Sequence, residues 1–277
     1  MITTIAGTGA RGYAGDGGPA AAAVLNLPRA VAVTGDGDVL IADTDNQRIR
    51  RIEAATGVIT TIAGVGRFGH GGDGGPATAA RLASPQALAL APDGTVFVAD
   101  TRNARIRRID PGTGVITTIA GTGESGDGGD GGPATAARLS LPRGLTVAPD
   151  GSLYVADSGA HRVRRVDPAG VITTVAGVGQ RGCTGDGGPA ADAALAAPSG
   201  LAVGPEGSLY IADAANNRIR RVTPDGVIAT YAGNGHSAWN SDINQPQALI
   251  AAPGATLLIA DAGSHQITAL PLRRPSR

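Results

Sequence analysis

Several residue types are scarce or missing in this chain of 277 residues, and each absence excludes something. Cys183 is the single cysteine, so no disulfide framework can form within the chain, and the redox compartment stays open. Lysine is missing altogether: the 23 basic residues are all arginines, and 23 acidic residues balance them. This balance leaves no global electrostatic field that would favour nucleic acid or an anionic membrane.

Long apolar runs and leader-like segments are missing as well. No stretch approaches the roughly 20 consecutive apolar residues of a membrane-spanning helix. The N-terminus has neither the basic segment nor the apolar segment of a secretion signal. We therefore expect no membrane association, a cytoplasmic location if Met1 is the native start, and an extracellular one if the chain is a trimmed domain.

The usual catalytic signatures are not found. His-Glu-x-x-His, Cys-x-x-Cys and Gly-x-Ser-x-Gly do not occur, and the four histidines do not recur at one repeat position. Gly-x-Gly-x-x-Gly does occur four times, but without the strand–helix–strand unit that dinucleotide binding requires. The sequence predicts no catalytic residue, no cofactor and no metal ligands, although a metal held by two or three histidines remains an alternative.

Internal repetition is the strongest positive signal. The phrase Gly-Asp-Gly-Gly-Pro-Ala recurs four times, and Ala-Asp after an apolar run recurs five times. The aspartates of the two phrases are Asp16, Asp73, Asp130 and Asp186, and then Asp43, Asp100, Asp157, Asp213 and Asp261. Such spacing indicates five copies of one structural unit, of which the last is shortened.

Each copy reads as four short strands separated by turns. In the second copy the predicted strands cover residues 86–90, 95–99, 105–109 and 115–120, with Pro-Asp-Gly and other turn residues between them. Four-stranded antiparallel meanders that repeat at this spacing predict an all-β fold, a five-bladed β-propeller. The predicted blades cover residues 28–63, 85–120, 142–176, 198–232, and 246–270 together with 1–6.

The two ends of the chain predict how the ring closes. Residues 1–6 match only the fourth strand of a blade, and the last copy supplies only three strands. We expect the N-terminal strand to complete the last blade, because pairing removes open sheet edges. The expectation is a single domain over residues 1–277, and a monomer.

The phrase apolar-x-Ala-Asp-x-x-Asn-x-Arg-Ile-Arg, best seen at residues 98–107, resembles the NHL repeat. The longer phrase from Ile-Thr-Thr-Ile-Ala-Gly to Gly-Asp-Gly-Gly-Pro-Ala-Thr-Ala-Ala-Arg-Leu resembles NHL segments of teneurins and many bacterial proteins. The third copy departs at Ala160, where asparagine is expected, and the fifth departs at Ser264 and Gln266. The resemblance implies a binding fold in most members, with a minority of enzymes that include lyases with a channel-bound metal.

A meander places the turns between second and third strands, and the long links between blades, at the same end of each blade. We expect a site there, built from residues that differ between copies. At the channel mouth, the residues predicted to bind are Arg29, Gln86, Arg143, Ser199 and Gln247. In the links they are Tyr13, Phe68, His70, His236 and Trp239, although Trp239 could instead fill the gap that the shortened fifth link leaves.

Charged residues that recur in every copy are expected to serve the blade. The link aspartates are predicted to cap the following helical turn, rather than to ligate calcium, which needs six or more oxygens. Each aspartate at the end of a second strand is predicted to accept hydrogen bonds from its own turn or to pair with an arginine of the third strand. The Arg-x-Arg-Arg stripes could suggest RNA, but aromatic residues are only 3% of the chain and cannot supply base stacking.

These patterns together favour a non-catalytic binding platform for a protein segment, a peptide or a glycan, with nucleic acid not expected. One alternative is a metal-assisted lyase or hydrolase with its site at the same end of the blades. Another is a structural or idealised repeat module without a ligand of its own.

Overall fold

The computed structural model describes residues 2–235 and 242–272, and the chain divides into two compact units, residues 1–123 and 124–277. Each unit is a series of antiparallel sheets in which strands pair in chain order. Five such sheets confirm the predicted fold class, an all-β protein with five propeller blades. The expectation of one domain over the whole chain stays a prediction.

The first unit holds two blades of four strands each. Blade 1 consists of β1 (Pro28–Val33), β2 (Val39–Asp43), β3 (Arg48–Ile52) and β4 (Ile59–Ala63). Blade 2 consists of β5 (Pro85–Leu90), β6 (Val96–Asp100), β7 (Arg105–Ile109) and β8 (Ile116–Ala120).

The second unit holds three blades. Blade 3 consists of β9 (Pro142–Val147), β10 (Leu153–Asp157), β11 (Arg162–Val166) and β12 (Ile172–Ala176). Blade 4 consists of β13 (Pro198–Val203), β14 (Leu209–Asp213), β15 (Arg218–Val222) and β16 (Ile228–Ala232), and blade 5 of β17 (Pro246–Ala252), β18 (Thr256–Asp261) and β19 (Gln266–Pro271).

Helical structure in the described residues is limited to turns of three residues. All of these turns are of 3-10 type. One set lies between the second and third strands of the blades, and the other set lies in the links. No described helix is long and apolar enough to cross a membrane. The turns are Thr44–Asn46, Thr101–Asn103, Ser158–Ala160, Ala214–Asn216 and Ala262–Ser264, and, in the links, Ala20–Ala22, Ala77–Ala79, Ala134–Ala136 and Ala190–Asp192.

Alternating apolar residues explain why the strands stack as blades. In blade 2, Val98 of the second strand pairs with Leu88 on one side and Arg107 on the other, and its side chain is fully buried. β-Branched residues suit this pleated, two-sided packing. Residues of the third strand such as Ile106 are equally buried, so the core runs through the middle of each blade.

The long links are fastened to the outer strands of the blades. We call residues 7–27, 64–84, 121–141, 177–197 and 233–245 link 1 to link 5. In link 2, the amide of Gly74 donates to the carbonyl of Ile116 at 2.8 Å, and the amide of Ile116 donates to Gly75 at 3.0 Å. Links 1, 3 and 4 repeat the first of these bonds at the same distance, on Ile59, Ile172 and Ile228. The Gly-Asp-Gly-Gly-Pro phrase therefore holds the fourth strand of the blade that follows it.

Blade 5 differs from the other four blades. Its sheet has three strands among the described residues, and residues 2–6 belong to no described strand, with Ile2 fully exposed. Link 5 lacks the Gly-Asp-Gly-Gly-Pro phrase whose backbone holds the fourth strand in blades 1 to 4. The expectation that residues 1–6 complete blade 5 stays a prediction.

Candidate binding site on the inter-blade links

A buried ion-pair network fastens each link to its blade. In blade 2 the fully buried guanidinium of Arg107 lies 3.3 Å from the carboxylate of Asp100 and 2.7 Å from that of Asp73 in link 2. The side-chain amide of Asn103 donates to Asp100 at 2.7 Å and to the carbonyl of Gly69 at 2.5 Å. The second oxygen of Asp100 accepts the amide of Ala83 at 2.6 Å. Buried charges are tolerated here because each is paired and hydrogen-bonded.

The network recurs with the blade. Fully buried arginines occupy the same position of the third strand in blades 1 to 4. Each pairs with a link aspartate that precedes it by 34 residues. The pairs are Arg50 with Asp16, Arg107 with Asp73, Arg164 with Asp130, and Arg220 with Asp186.

Two predictions about aspartates are settled by this network. In blades 1, 2 and 4 the aspartate at the end of the second strand accepts a hydrogen bond from the asparagine of its own turn and pairs with a third-strand arginine, as predicted. Asp157 of blade 3 has no turn asparagine and lies 3.8 Å from Arg164. Asp261 of blade 5, whose third strand has no arginine, accepts the amide of Asn244 at 2.7 Å. The link aspartates do not cap the helical turns, in which a proline occupies the cap position without a side-chain hydrogen bond. Their role is corrected to that of a partner for the buried arginine, whose charge would otherwise be unpaired at that end.

Burial raises the pKa of two carboxyl groups of the network well above the ordinary value of an aspartate. Desolvation raises the pKa of Asp100 to about 6, against the opposing effects of Asn103, the Ala83 amide and Arg107. Desolvation raises the pKa of Asp157 in blade 3 to about 7, against the Ser140 amide and Arg164. The negative charge of Asp127 adds to the rise at Asp157.

Blade 3 lacks one member of the network. Ala160 stands where blades 1, 2 and 4 have an asparagine, so no side-chain amide reaches Asp157. One carboxylate oxygen of Asp157 has no hydrogen-bond partner, and Arg164 lies 3.8 Å from it. The equivalent distances in blades 1, 2 and 4 are 3.3, 3.3 and 3.4 Å. The alanine therefore leaves a buried carboxylate poorly satisfied.

In blades 1 to 4 the first arginine of the third strand extends across the start of the next link. Arg48 donates to the carbonyl of Val65 at 3.1 Å, and Arg105 donates to that of Thr122 at 2.6 Å. Gly66, against which the Arg48 guanidinium lies, has a φ of +79°, a left-handed backbone conformation that favours glycine. The charge stripes that could have suggested RNA are thus largely committed to holding links.

The exposed tips of the links differ at one equivalent position. The residue after the third link glycine is Tyr13, His70, Asp127 or Cys183 in links 1 to 4. Tyr13 donates to Asp16 at 2.7 Å, and the Arg48 guanidinium lies 3.6 Å above its ring. Tyr13 is therefore partly engaged within its own link, whereas His70 and Cys183 are exposed.

Among the predicted site residues that the structure describes, link 2 carries the most exposed aromatic side chain. Phe68 is 58% exposed, and Arg67, His70 and Arg81 beside it in the link are exposed as well. The stem of Arg81 crosses Gly69, since a Cβ atom on that glycine would lie 2.9 Å from the Cδ atom of Arg81. Link 2 thus brings together two residues of the predicted site, Phe68 and His70, with two arginines.

Link 3 has the same framework and opposite chemistry. Glu124, Ser125 and Asp127 stand where link 2 has Arg67, Phe68 and His70. Arg138 forms a 2.9 Å salt bridge with Glu124, and Asp127 lies 3.2 Å from Arg162. An open cavity of about 350 Å³ is lined by Gly126, Asp127, Gly128, Gly129, Ala136 and Arg138.

The five predicted channel-mouth residues each stand second in the first strand of a blade. Arg29, Arg143 and Gln247 are exposed, and Gln86 is half-buried. Ser199 is buried, and its hydroxyl donates to the carbonyl of Pro246 at 2.9 Å. Their role in binding stays a prediction.

The histidines have separate surroundings. His161 accepts the amide of Ala197 through Nδ1 at 3.0 Å, and burial, followed by the charge of Arg181, lowers its pKa. His236 and Trp239 of the predicted site lie outside the described residues. Among the residues that the structure does describe, no three His, Cys, Asp or Glu side chains are grouped to hold a metal ion.

Sequence reasoning missed a set of side chains that bond blades 1, 3 and 4 to the link that follows each of them. Gln47, His161 and Asn217 occupy one repeat position with left-handed backbone, and each accepts an amide of the following link. Their shared position next to the Asp-x-x-Asn turn was a usable signal. The constant 34-residue separation of link aspartate and buried arginine was another.

Comparison with known proteins gives two matching family models. The model described as teneurin NHL domain matches residues 66–126, 121–184 and 179–223, and the NHL repeat model matches residues 25–52. Mouse teneurin-1 is 32% identical over 251 residues, which cover 79% of this chain and 9% of teneurin-1. The chain thus spans about a tenth of the length of this curated relative.

Solved structures with the same fold have low sequence identity. Virginiamycin B lyase from Staphylococcus aureus is similar with a TM-score of 0.57 and 18% identity, covering 90% of this chain and 71% of that one. A chain of the nidogen/laminin complex is similar with a TM-score of 0.63 and 20% identity, covering 90% of this chain and 79% of that one. At these identities the likeness concerns the fold alone.

Proposed function

Because the chain belongs to the teneurin NHL-domain family of NHL-repeat proteins, we propose that it is a non-catalytic platform that binds a protein segment through its links. The observation that carries the proposal is that links 2 and 3 share one backbone framework and differ mainly in their exposed side chains. Family membership supports a binding role, and a propeller chain of the nidogen/laminin complex is a structural neighbour.

The shared framework is visible in matching hydrogen bonds. The amide of Arg81 donates to Gly71 at 3.0 Å in link 2, and the amide of Arg138 donates to Gly128 at 3.1 Å in link 3. Gly72 and Gly129 have φ values of +103° and +100°. A Cβ atom on either would lie 2.7 or 2.6 Å from the Cα atom of the opposite alanine. Side chains at the tips therefore vary on a fixed support.

A fixed support with variable exposed side chains suits recognition better than it suits chemistry. Preorganised loops lose little conformational entropy when they bind, so more of the contact energy appears as affinity. Exposed loop residues held by a rigid scaffold are also the common location of binding sites. The buried ion-pair network supplies that rigidity in links 1 to 4.

The proposal can be tested by selecting ligands without assuming their identity. The full chain would be immobilised and exposed to a displayed random-peptide library and, separately, to a glycan array. Selected ligands would then be measured against F68A/H70A in link 2 and against P111A/T113A. Pro111 and Thr113 are exposed in the turn between the third and fourth strands of the same blade, and serve as the matched control.

We expect peptides to be enriched, and a peptide class to lose at least about ten-fold in affinity on the link variant, with the control unchanged. Enrichment of glycans alone would overturn the assignment of a protein segment. The link proposal would be overturned if no ligand is enriched, or if all selected ligands bind the link variant as well as the parent.

A further inference from the structure

The strongest unassigned feature is a cationic and aromatic cluster on link 2. We call Arg67, Phe68, His70, Arg81 and Arg102 the link 2 patch. All five side chains are exposed. Arg102 belongs to the neighbouring turn, whose Arg102 amide donates to Ala83 at 3.0 Å and whose Asn103 side chain donates to Gly69. These two bonds fix the turn that carries Arg102 to the link at Gly69, next to Phe68 and His70, and at Ala83, two residues after Arg81.

The positive charges of the link 2 patch are not used within the described structure. Arg67, Arg81 and Arg102 form no salt bridge with any residue that the structure describes. Asp73, the acidic residue of link 2, lies 2.7 Å from the buried Arg107 and belongs to the blade network. Three exposed arginines, two of them in the same link as the exposed Phe68, therefore have no described anionic partner.

In link 3, which has the same backbone framework, the arginine equivalent to Arg81 is paired with an acidic residue of its own link. Arg138 is the counterpart of Arg81, and Glu124, the counterpart of Arg67, forms a 2.9 Å salt bridge with it. The same backbone framework therefore occurs in this chain with a paired arginine in link 3 and, in link 2, with one that has no described acidic partner. Arg11 of link 1 and Arg181 of link 4 are also exposed and form no salt bridge with a described residue, but each of these links carries one such arginine. Link 2 carries two, Arg67 and Arg81, together with the exposed Phe68.

We propose that the link 2 patch binds an acidic peptide segment that carries an aromatic or aliphatic residue. This inference rests on the function proposed above and names its partner chemistry. The carboxylates would pair with Arg67, Arg81 and Arg102, and the apolar side chain would pack against Phe68, 58% of whose surface is accessible. Aromatic and arginine side chains are the residues that most often supply the energy of such contacts.

Charge complementarity favours a peptide over a nucleic acid. The link 2 patch is small, and the chain as a whole has no net charge to attract a long polyanion. A single exposed phenylalanine also cannot stack successive bases, as single-strand binders do. An oligonucleotide is therefore a competitor in the test rather than the proposed ligand.

The experiment uses fluorescence anisotropy with two labelled probes. One probe is the peptide Glu-Asp-Glu-Tyr-Glu-Asp-Glu, and the other has lysine at every acidic position. The protein variant R67E/F68S/H70D converts the tip of link 2 to the residues of link 3. The reverse variant E124R/S125F/D127H converts link 3 to the residues of link 2. Both sets of residues already occur on this framework, and far-ultraviolet circular dichroism would confirm that each variant is folded.

We expect the parent to bind the acidic probe and not the lysine probe, with affinity that weakens by roughly ten-fold from low to high salt. R67E/F68S/H70D should weaken binding by at least about ten-fold. E124R/S125F/D127H should add a second, weaker site, because Gly159 stands where blade 2 has Arg102. Equal binding of both probes, an unaffected R67E/F68S/H70D variant, or tighter binding of a single-stranded oligonucleotide of equal charge would overturn the proposal.

The outcomes also separate this inference from the broader one. If library-selected peptides bind through the links but are not acidic, the partner chemistry assigned here is wrong and the platform function stands. If neither selected nor acidic peptides bind, both are wrong.

Discussion

Blades 2 and 3, each with the link that precedes it, are two similar pieces of sequence on one framework, and two of the differences between them are the most informative. On the outside, Arg67, Phe68 and His70 of link 2 are replaced by Glu124, Ser125 and Asp127 in link 3. On the inside, Asn103 of blade 2 is replaced by Ala160 in blade 3. The comparison teaches that the framework tolerates a reversal of charge at the exposed tips of its links. Inside the blade, the loss of one asparagine side chain leaves the buried carboxylate of Asp157 without a hydrogen bond that Asp100 has.

The largest expected effect is the loss of a buried arginine. R107M removes the cation that pairs with Asp100 and Asp73, and should cost about 3–5 kcal/mol in the free energy of unfolding because a buried carboxylate is left unpaired. R164M in blade 3 should cost less, because Arg164 is already 3.8 Å from Asp157. Urea denaturation of both variants measures this, and equal losses would show that the two networks are energetically alike.

A smaller effect is expected from exchanging the internal amide. N103A should destabilise blade 2 by about 1–3 kcal/mol, since it leaves Asp100 without the 2.7 Å hydrogen bond from the amide. A160N supplies the missing donor to Asp157 and should stabilise the chain by about 1 kcal/mol. Thermal unfolding of the two variants checks the opposite signs. A destabilising A160N would mean that Arg162 and Asp127 already occupy the space that the amide needs.

The two blades should also differ in pH dependence. Burial raises the pKa of Asp157 to about 7 and that of Asp100 to about 6, from an ordinary value of 3.8. A carboxyl with a higher pKa in the folded chain binds more protons there than in the unfolded chain, so its contribution to stability falls as pH rises through that window.

We therefore expect the stability of D157N relative to the parent to rise with pH from about 4 to about 7. For D100N the rise should end about one pH unit lower. Denaturation midpoints at intervals of pH check this comparison. If the D157N difference does not change between acidic and neutral pH, the pKa of Asp157 is not raised.

The smallest expected effect comes from exchanging the tips. R67E/F68S/H70D should change the free energy of unfolding by less than about 0.5 kcal/mol, because the three side chains are exposed and outside the buried network. Differential scanning calorimetry of this variant beside the parent is the measurement. A large loss would mean that Phe68 or Arg67 packs against the framework, and the tips could then no longer be regarded as a free recognition surface.

Much of the architecture could be predicted from the sequence because the repeat is long and regular. Alternating apolar residues and turn residues located the strands of blade 2 to within a residue or two of β5 to β8. The turn asparagine and the third-strand arginine that pair with the second-strand aspartate were also predicted for blades 1, 2 and 4. The link amide that each of these aspartates also accepts was not predicted. The link residues Phe68 and His70 were singled out because they break the repeat. The structure places the stem of Arg81 against Gly69 between them, and the turn that carries Arg102 is bonded to the same glycine.

Other features depended on contacts between residues far apart in the chain. The link aspartates were assigned to capping because local sequence places them before a helical turn, whereas the structure pairs them with arginines 34 residues away. The fourth strands gave a similar lesson. Sequence reasoning located them, but it could not show that the fourth strands of blades 1 to 4 are held by backbone hydrogen bonds from the links that precede those blades.

The sequence by itself determined the repeat, the strand pattern and therefore the all-β propeller class, because these depend on periodicities of two residues and of one blade. Tertiary structure alone decided which of the many arginines are buried and which face solvent. Arg107 is buried because Asp73 and Asp100 converge on it, whereas Arg67, Arg81 and Arg102 remain exposed because no described acidic residue reaches them. That division follows from the cost of burying an unpaired charge, which only the assembled blade and its link can offset.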